Sequence, residues 1–325
     1  MQGKTVFVTG AMGFIGGALC KRLLADGVRV RGLARNPEKG RVLAATGVEV
    51  VDGDLTDHAR MAEVVQGADF VMHLGAHLRG DAVQVFRAVN VDATRALAEA
   101  SAKAGVERFI FTSSIAVFGS VGDAVVDESK PLREYGDPYG DSKIGAERAL
   151  REVAEASGLT YVIPRPGMVY GPRSPGWTLR VLRIVRSNQA PLIEGGRGTI
   201  FPIYIDNLLD GLLLCATHPA APSQVFNFVD DGPVTWAEFL GYYQTMLGKE
   251  RLRGLRGPRW MAQLAATVLD PFVSGYNLRY LVNVLAGTGV ISNRKAKDSL
   301  GWRPGISLAE GIRRTEAWLR QEGHL

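Results

Sequence analysis

Hydrophobic and polar positions alternate along the first half of the chain with two periods, one typical of strands and the other of helices. Short apolar or alternating runs predict strands at residues 5–8, 28–34, 48–51, 69–74, 108–112 and 161–164. Amphipathic stretches between them predict helices at residues 18–24, 57–66, about 81–104 and 138–157. This rhythm predicts an α/β fold, a doubly wound parallel sheet with helices on both faces and ligands at the carboxyl ends of its strands.

The alternation of predicted strands and helices becomes less regular after Ser174. Helical patterns recur at 176–188, 205–217, 235–247, 258–270 and 307–321, with short extended pieces at 200–205 and 225–229. We therefore expect a dinucleotide-binding domain over residues 1–172, to which 200–229 contributes. Residues 173–325 would then form mainly a smaller, mostly helical substrate lobe.

Three glycines follow the first predicted strand and open the first helix. Gly10 and Gly13 would allow a tight turn and the approach of backbone N–H groups to a pyrophosphate, and Gly16 would allow close packing of the helix. The positive end of the helix dipole favours the same anion. The turn therefore predicts a dinucleotide site in a Rossmann-type sheet, although the spacing also occurs in glycine-rich turns that bind nothing.

The charge distribution and the cysteine content limit the classes of binding partner and the cellular compartment that we expect. The chain has 38 Lys and Arg against 33 Asp and Glu, a net charge of +5 at pH 7, and its charges are interspersed. This pattern does not predict a nucleic-acid surface, so we expect a small-molecule substrate. Cys20 and Cys215 lie in separate apolar runs, which fits reduced thiols in the cytoplasm. The stretch 211–229 is the longest without formal charge, but its polar residues and prolines argue against a transmembrane helix.

The tip of the second strand distinguishes the two nicotinamide dinucleotides. In dinucleotide folds an acidic residue there binds the 2′-OH of NAD, whereas an arginine accommodates the 2′-phosphate of NADP. Here Arg35 stands at the tip, Arg31 lies earlier in the strand, and the first carboxylate after them is Glu38. We therefore expect NADP(H) to be preferred, with NAD(H) as the alternative cofactor.

Tyr139 and Lys143 share one face of a predicted helix whose first turn carries Asp137 as N-cap and Pro138 at the first position. A lysine ammonium about 4 Å from a tyrosine would lower the tyrosine's pKa by roughly 2–3 units at an effective dielectric constant near 20. Tyr139 would then be a general acid/base, and Ser114 would hold the substrate oxygen. These three residues predict hydride transfer to or from a carbonyl, although a tyrosine and a lysine at this spacing are usually structural.

Several segments together resemble the extended short-chain dehydrogenase/reductase superfamily, also called the NAD-dependent epimerase/dehydratase family. The segments are Thr9-Gly10-x-x-Gly13-x-x-Gly16, Gly53-Asp54-Leu55, His73-Leu74-Gly75-Ala76, Val89-Asn90-Val91, Thr112-Ser113-Ser114, Val117-Phe118-Gly119, Tyr139-x-x-x-Lys143, Arg165-Pro166-x-x-Val169-Tyr170-Gly171-Pro172 and Leu300-Gly301-Trp302-Arg303-Pro304. The resemblance covers nearly the whole chain, in the family's order and spacing. It is closest in character to the dihydroflavonol-reductase and 3β-hydroxysteroid-dehydrogenase members.

The resemblance implies roles for individual residues. Asp54 would contact the adenine, Ala76 would line the path between the cofactor halves, Asn90 would steady the loop near the nicotinamide ribose, and Lys143 would bind that ribose. The full set implied for the cofactor is Gly10, Met12, Gly13, Phe14, Ile15, Arg31, Arg35, Asp54, Leu55, Leu74, Gly75, Ala76, Asn90, Thr112, Tyr139, Lys143, Pro166, Met168 and Val169. The substrate would meet His77, Ser114, Met168 and Trp177. No metal is expected, and family members often form homodimers.

Two departures from the family pattern bear on the substrate. Sugar-nucleotide epimerases usually carry an asparagine where Met168 stands and an Arg-Asp-Tyr/Phe-x-His pattern where residues 199–203 stand. We therefore expect an oxidoreductase acting on a largely apolar ketone, aldehyde or secondary alcohol. A nucleotide-sugar epimerase or dehydratase is the alternative, and a cofactor-sensing protein without catalysis is a third reading.

The predicted substrate lobe supplies apolar side chains that would cap a pocket, or would simply form the core of that lobe. They are Trp177, Leu179, Trp260, Met261, Leu264, Leu269, Phe272, Val273, Tyr276 and Tyr280. The nearby arginines Arg251, Arg253, Arg256 and Arg259 leave an anionic substrate or a peripheral membrane contact open.

Overall fold

The computed structural model describes residues 1–80, 82–270 and 277–325. The strands are β1 (Thr5–Thr9), β2 (Arg29–Ala34), β3 (Glu49–Asp52), β4 (Phe70–His73), β5 (Arg108–Phe111), β6 (Val125–Val126), β7 (Tyr161–Pro166), β8 (Met168–Tyr170), β9 (Ala190–Ile193), β10 (Thr199–Ile200), β11 (Pro202–Tyr204), β12 (Gln224–Phe228), β13 (Val234–Thr235), β14 (Gly254–Gly257) and β15 (Val290–Ile291). Each strand predicted in the first half of the chain is present.

The helices include two π-helical stretches, Arg87–Asp92 and Pro175–Leu179. The α-helices are α1 (Phe14–Ala25), α2 (Pro37–Ala44), α3 (His58–Val64), α4 (Val83–Phe86), α5 (Ala93–Lys103), α6 (Pro138–Ser157), α7 (Arg180–Arg186), α8 (Ile205–Thr217), α9 (Trp236–Met246), α10 (Arg259–Leu269), α11 (Leu278–Ala286), α12 (Arg294–Leu300) and α13 (Leu308–Gln321). The long helix predicted at 81–104 is α4, a π-helical stretch and α5 in succession, and Asp81 lies outside the described residues.

Seven strands form one parallel sheet in the order β3-β2-β1-β4-β5-β7-β12. The strand order reverses between β1 and β4, so the crevice above their carboxyl ends is where a ligand is expected in such a sheet. The doubly wound Rossmann-type fold predicted from the sequence is thereby confirmed.

The sheet is covered on both faces because β1 alternates its side chains between two hydrophobic clusters. Val6 and Val8 pack into the first cluster, which includes residues of α1 and α8, whereas Phe7 packs into the second, which includes residues of α3, α5 and α6. The second cluster holds α6 against the sheet and thereby positions the predicted catalytic side chains of that helix.

The second half of the chain is mostly helical, and part of it joins the sheet. Helix α8 matches its predicted range, and β12 pairs with β7 as the sheet's edge strand. Helices α11 and α12 were not predicted, because both are short and their flanking signals are weak. The division of the chain at residue 172 stays a prediction, and the predicted apolar residues Phe272, Val273 and Tyr276 lie outside the described residues.

Within the described ranges, no helix combines the length and the apolar character needed to cross a membrane.

Candidate active site

The glycine turn after β1 is built so that side chains would not fit. Gly10 has φ of +70°, and a Cβ there would lie 2.8 Å from the Gly75 nitrogen. A Cβ on Gly16 would lie 2.1 Å from the Gly10 carbonyl oxygen. Gly13 is the N-cap of α1 and donates its N–H to that same oxygen at 2.8 Å. The backbone therefore forms a close cradle at a helix N-terminus whose first turn carries no charged side chain.

Hydrogen bonds tie the glycine turn to the neighbouring strand β4. Thr9 Oγ1 lies 2.6 Å from His73 Nδ1 and accepts the Gly75 N–H at 3.0 Å, while His73 Nε2 lies 3.0 Å from Thr94 Oγ1. Burial, with a smaller effect from the charge of Lys143, lowers the pKa of His73 to about 3. A neutral histidine therefore links the two strands that flank the crevice, a role that the sequence alone did not indicate.

Asn90 connects the loop after β4 to the catalytic helix. Its Oδ1 accepts the His77 N–H at 2.7 Å, and its Nδ2 donates to the His77 carbonyl at 3.0 Å and to Ser142 Oγ at 2.8 Å. Ser142 in turn donates to the Tyr139 carbonyl at 2.8 Å. The His77 ring packs edge-on against Phe86, with a centroid distance of 4.6 Å. This buried asparagine thus joins the loop after β4 to the first turns of α6.

Tyr139 sits in the first turn of α6, which begins where it was predicted to begin. The Asp137 side chain accepts the Gly140 N–H at 2.7 Å as N-cap, and Pro138 is the first helical residue. The Tyr139 hydroxyl lies near the Ser114 hydroxyl, whose Oγ accepts the Ala116 N–H at 3.1 Å. Two of the three predicted catalytic side chains therefore lie close to each other.

The predicted lowering of the Tyr139 pKa is wrong for this structure. Burial raises the pKa of Tyr139 to about 12, because desolvation outweighs the effect of the nearby Ser114 hydroxyl, which favours the ionised form. In this structure Lys143 does not lower the pKa of Tyr139, and burial lowers the pKa of Lys143 itself to about 8. The Lys143 ammonium instead donates to the Thr112 carbonyl at 2.9 Å and lies 4.6 Å from the centre of the Phe111 ring.

A buried ion pair lies one helical turn beyond Lys143, and sequence analysis missed it. Arg165 donates to both carboxylate oxygens of Glu147, at 2.8 and 2.6 Å, and Ser113 donates to the same carboxylate at 2.7 Å. Glu147 and Arg165 are almost completely buried. The signal in the sequence was a glutamate four residues after Lys143, on the same helical face.

The arginines proposed for the cofactor occupy different environments. Arg35 is 81% exposed at the tip of β2, with its guanidinium 3.4 Å from the Asp54 carboxylate. Arg31 is paired with Phe7 in the middle of the sheet, donates to the Gln66 carbonyl at 2.7 Å and lies 3.2 Å from the Glu49 carboxylate. The assignment of Arg31 to the cofactor is therefore corrected, because pairing within the strand holds it away from the tip. A carboxylate from outside the strand, that of Asp54, also faces Arg35, which the order of residues around the strand tip did not indicate.

The other residues predicted for the cofactor surround the crevice. Met12, Phe14, Ile15 and Leu74 are half-buried against the first hydrophobic cluster, and Leu55 is half-buried against the second. Gly75 approaches Leu55 so closely that a Cβ would lie 2.7 Å from its side chain. The half-buried Ala76 follows Gly75, and Pro166, Met168 and Val169 lie where β7 ends and β8 begins.

Two of the residues predicted to contact the substrate, Met168 and Trp177, present apolar side chains. Met168 lies half-buried in β8, and its N–H donates to the Phe201 carbonyl at 2.7 Å. Trp177 packs against Trp236 with ring centroids 6.2 Å apart. Ile200 is buried, and Thr199 is also buried, with its hydroxyl donating to the Gly289 carbonyl at 2.6 Å. The structure therefore uses Thr199 and Ile200 in packing between elements.

The donor set fits a dinucleotide. The glycine cradle excludes side chains where a pyrophosphate would approach the backbone, and the buried Thr112 Oγ1 has no hydrogen-bond partner among the described residues. In the part of the chain that the structure describes, His, Cys, Asp and Glu side chains form no group that could hold a metal ion.

Comparisons with known proteins agree with this geometry. A model of the NAD dependent epimerase/dehydratase family matches residues 6–228, and the chain belongs to that family. It is 29% identical over 340 residues to the 2-alkyl-3-oxoalkanoate reductase of Shewanella oneidensis, covering 96% of this chain and 86% of the reductase. It is 30% identical over 323 residues to the UDP-glucose 4-epimerase of Vibrio cholerae, covering 96% and 94%. A solved complex with UDP-glucose and NAD shares 25% identity and a TM-score of 0.78, covering 98% and 99%.

The predicted family is therefore confirmed, and the chain is an NAD(P)-dependent enzyme of the extended short-chain dehydrogenase/reductase type. Its relatives carry the names of both reductases and epimerases.

Proposed function

We propose that the chain is an NADP(H)-dependent oxidoreductase that reduces a ketone or aldehyde, or oxidises a secondary alcohol, on a largely apolar small molecule. The support for this proposal is that Ser114 and the Lys143 ammonium lie at the carboxyl end of β5, two strands along the sheet from the glycine turn at the carboxyl end of β1. A continuous path of contacts joins the two, because Thr9 bonds His73, the His73 carbonyl accepts the Thr112 N–H at 3.0 Å, and the Thr112 carbonyl accepts Lys143.

In the proposed reduction, the bound nicotinamide supplies a hydride to the carbonyl carbon. Tyr139 donates its hydroxyl proton to the carbonyl oxygen, and Ser114 donates a hydrogen bond to the same oxygen. The Tyr139 hydroxyl is protonated at neutral pH because its pKa is about 12. When the cofactor binds, the Lys143 ammonium would turn from the Thr112 carbonyl toward the nicotinamide ribose and Tyr139, where it would stabilise the tyrosinate that remains after proton transfer. Asn90 holds the backbone of the catalytic turn. Oxidation reverses these transfers.

The preference for NADP(H) rests on Arg35. Its guanidinium is exposed at the tip of β2, so it is free to turn toward a 2′-phosphate, which carries a charge of roughly −1.5 to −2. The Asp54 carboxylate at 3.4 Å competes for this guanidinium and would repel the phosphate, so Arg35 must exchange partners when NADP binds. The other residues placed around the crevice are proposed to bind the rest of the cofactor.

The apolar substrate class rests on the positions where sugar-nucleotide epimerases carry polar groups. Met168 is a thioether, and Thr199 and Ile200 are buried in packing, so these positions offer a diphosphate no cation. We propose that His77, Ser114, Met168 and Trp177 border the substrate.

A nucleotide-sugar epimerase is the second candidate, because the Vibrio cholerae relative that bears this name is 30% identical over nearly the full chain. The same catalytic residues would serve it, since an epimerase oxidises and re-reduces its substrate without net change of cofactor. The nature of the substrate pocket therefore distinguishes the two candidates.

Purified protein should consume NADPH in the presence of a 2-alkyl-3-ketoacid or an aromatic aldehyde. Tyr139→Phe should lower kcat by about 10²–10⁴-fold while the affinity for NADPH stays unchanged, because the hydroxyl moves the proton. Tyr161 lies at the amino end of β7, away from the carboxyl ends of the strands where the catalytic residues are proposed. Tyr161→Phe is therefore the matched control and should keep its activity. Turnover of UDP-glucose without consumption of cofactor would instead establish the epimerase.

The cofactor preference is measured separately as the ratio of the dissociation constants for NADPH and NADH. Arg35→Ala should raise this ratio roughly tenfold or more, because NADPH loses a partner for its 2′-phosphate, whereas Arg31→Ala should leave it unchanged because Arg31 is engaged within the sheet. Equal affinities in the wild-type protein would refute the preference for NADP(H) but not the reductase activity.

We also propose that the protein forms a homodimer and that it is located in the cytoplasm. Cys20 and Cys215 are free, buried thiols, as expected for a reducing compartment, and burial raises the pKa of Cys20 to about 12. Light scattering during gel filtration tests the dimer, and cell fractionation tests the location.

A further inference from the structure

Helix α10 carries its apolar side chains on the outside of the molecule. Trp260, Leu264 and Val268 are 67%, 61% and 61% exposed, and Met261 and Leu269 are each half exposed. Trp260, Leu264 and Val268 follow each other at intervals of four residues and therefore share one face of the helix. Of the eleven residues of α10, Ala266 is the buried one. A contiguous exposed apolar patch of this kind marks a surface that interacts with something other than water.

Two polar residues of α10, Arg259 and Gln263, face inward and bind α11. Arg259 Nη2 and Gln263 Nε2 both donate to Asn283 Oδ1 at 2.8 Å, and Gln263 Nε2 also lies 3.2 Å from the Arg279 carbonyl. The first turn is further held by the Arg259 N–H, which donates to the Glu194 carboxylate. These bonds fix the rotation of the helix about its axis, so the apolar face cannot turn inward without breaking them.

The charged side chains from residue 251 to residue 269 are all arginines. They are Arg251, Arg253, Arg256 and Arg259, and the sequence holds no aspartate or glutamate in this range. The first three are exposed, whereas Arg259 lies against Glu194. The net charge of the whole chain is +5, so three exposed arginines within six residues form a local concentration of positive charge. An exposed apolar face bordered by arginines is complementary to a surface that is apolar inside and anionic at its boundary.

We propose that α10 and the three exposed arginines form a docking surface, called here the α10 surface, for a bilayer containing anionic lipids. The helix would lie in the plane of the headgroups with its apolar face among the first acyl carbons. Trp260 is suited to the boundary between water and hydrocarbon, and the arginines would bind headgroup phosphates. At about 16 Å, an eleven-residue helix is too short to span the bilayer, so the contact is peripheral.

A second copy of the chain fits this surface less well than a bilayer. In a two-fold symmetric dimer each patch meets its own copy, so the arginines of both subunits would come together without an acidic partner from the same segment. The docking proposal does not depend on the proposed reductase activity. If both hold, the substrate lobe lies at the surface where apolar ketones concentrate.

The test uses the full-length protein and vesicles of phosphatidylcholine with or without phosphatidylglycerol. The wild type should float with the anionic vesicles and bind neutral ones far more weakly. Changing Arg251, Arg253 and Arg256 together to glutamine should weaken binding on the order of a hundredfold, since each arginine contributes about fivefold near an anionic surface. The double variant Leu264→Glu, Val268→Glu should abolish it.

Val42→Glu, an equally exposed apolar position on α2, is the matched control and should bind like the wild type. Because Leu264 and Val268 are exposed, their substitution should preserve the circular dichroism spectrum and the melting temperature. Membrane contact can also be measured without charged substitutions, by the quenching of tryptophan fluorescence by brominated lipids. This quenching should be lost in Trp260→Phe. The proposal is overturned if the wild type ignores anionic vesicles, or if the Leu264/Val268 variant instead converts a dimer into a monomer in the absence of lipid.

Discussion

A surface helix usually turns its apolar side chains toward the core and its charged side chains toward the solvent. Helices α6 and α10 each depart from this pattern, α6 in its charged residues and α10 in its apolar ones. Helix α6 turns the charged residues Lys143 and Glu147 into the protein, where each has hydrogen-bond partners. Helix α10 turns Trp260 and Leu264 out of it. A buried charge is retained when its partners offset the lost hydration, and an exposed apolar face is retained when something else covers it. The comparison directs attention to residues that depart from the usual pattern, because each needs a partner that offsets the cost of its environment.

The largest expected effect comes from the buried ammonium of α6. Lys143→Met should lower kcat for ketone reduction by about 10²–10⁴-fold, because the charge that stabilises the tyrosinate is removed. The free energy of unfolding should stay within about 1 kcal/mol of the wild-type value, since the lost hydrogen bond to Thr112 is offset by removing a charge that burial disfavours. Steady-state kinetics and urea unfolding measure the two effects. A large loss of stability with intact kcat would show that Lys143 is structural.

The Glu147–Arg165 pair should behave in the opposite way, with its main effect on stability. Arg165→Met leaves the Glu147 carboxylate buried with Ser113 and the partly exposed Arg151 and should lower the free energy of unfolding by about 3–5 kcal/mol. The double variant Glu147→Gln, Arg165→Met should regain a substantial part of this loss, because no carboxylate is then left without its main partner. Denaturant unfolding of both variants decides the point, and purely additive losses would count against the coupling.

A smaller effect is expected on the pH dependence of activity. Burial lowers the pKa of Lys143 to about 8, and the negative charge of Glu147 opposes that shift. Glu147→Gln removes the opposition and lowers the pKa of Lys143 further, so Lys143 loses its proton at a lower pH. The alkaline fall of kcat/KM for reduction should therefore move toward neutral pH by on the order of one unit. Glu152→Gln, on the exposed side of α6, is the control and should leave the profile unmoved.

The smallest effect is expected on α10. Leu264→Gln should change the free energy of unfolding by less than about 0.5 kcal/mol, because the leucine is already exposed to water. Leu150→Ala in α6, where the leucine is fully buried, should cost about 2–5 kcal/mol. Thermal or urea unfolding of the two variants tests this contrast. If Leu264→Gln were as costly as Leu150→Ala, the apolar face of α10 would be part of the core.

The sequence by itself determined the features that depend on neighbouring residues. The strand and helix periods, the glycine turn with Gly10 and Gly16, the cap at Asp137 and the bounds of α8 were all predicted. Each rests on backbone geometry, side-chain periodicity or a hydrogen bond that spans a few residues. The spacing of Tyr139 and Lys143 on one helical face is of the same kind.

Tertiary structure decided the features that depend on distant residues and on burial. Arg165 reaches Glu147 across eighteen positions, and pairing within the sheet rather than sequence spacing places Arg31 away from the strand tip. The pKa of Tyr139 moved opposite to the expected direction because desolvation depends on everything packed around the hydroxyl. The outward face of α10 likewise follows from its bonds to Asn283 on α11, since periodicity shows that a helix has an apolar face but not which way that face points.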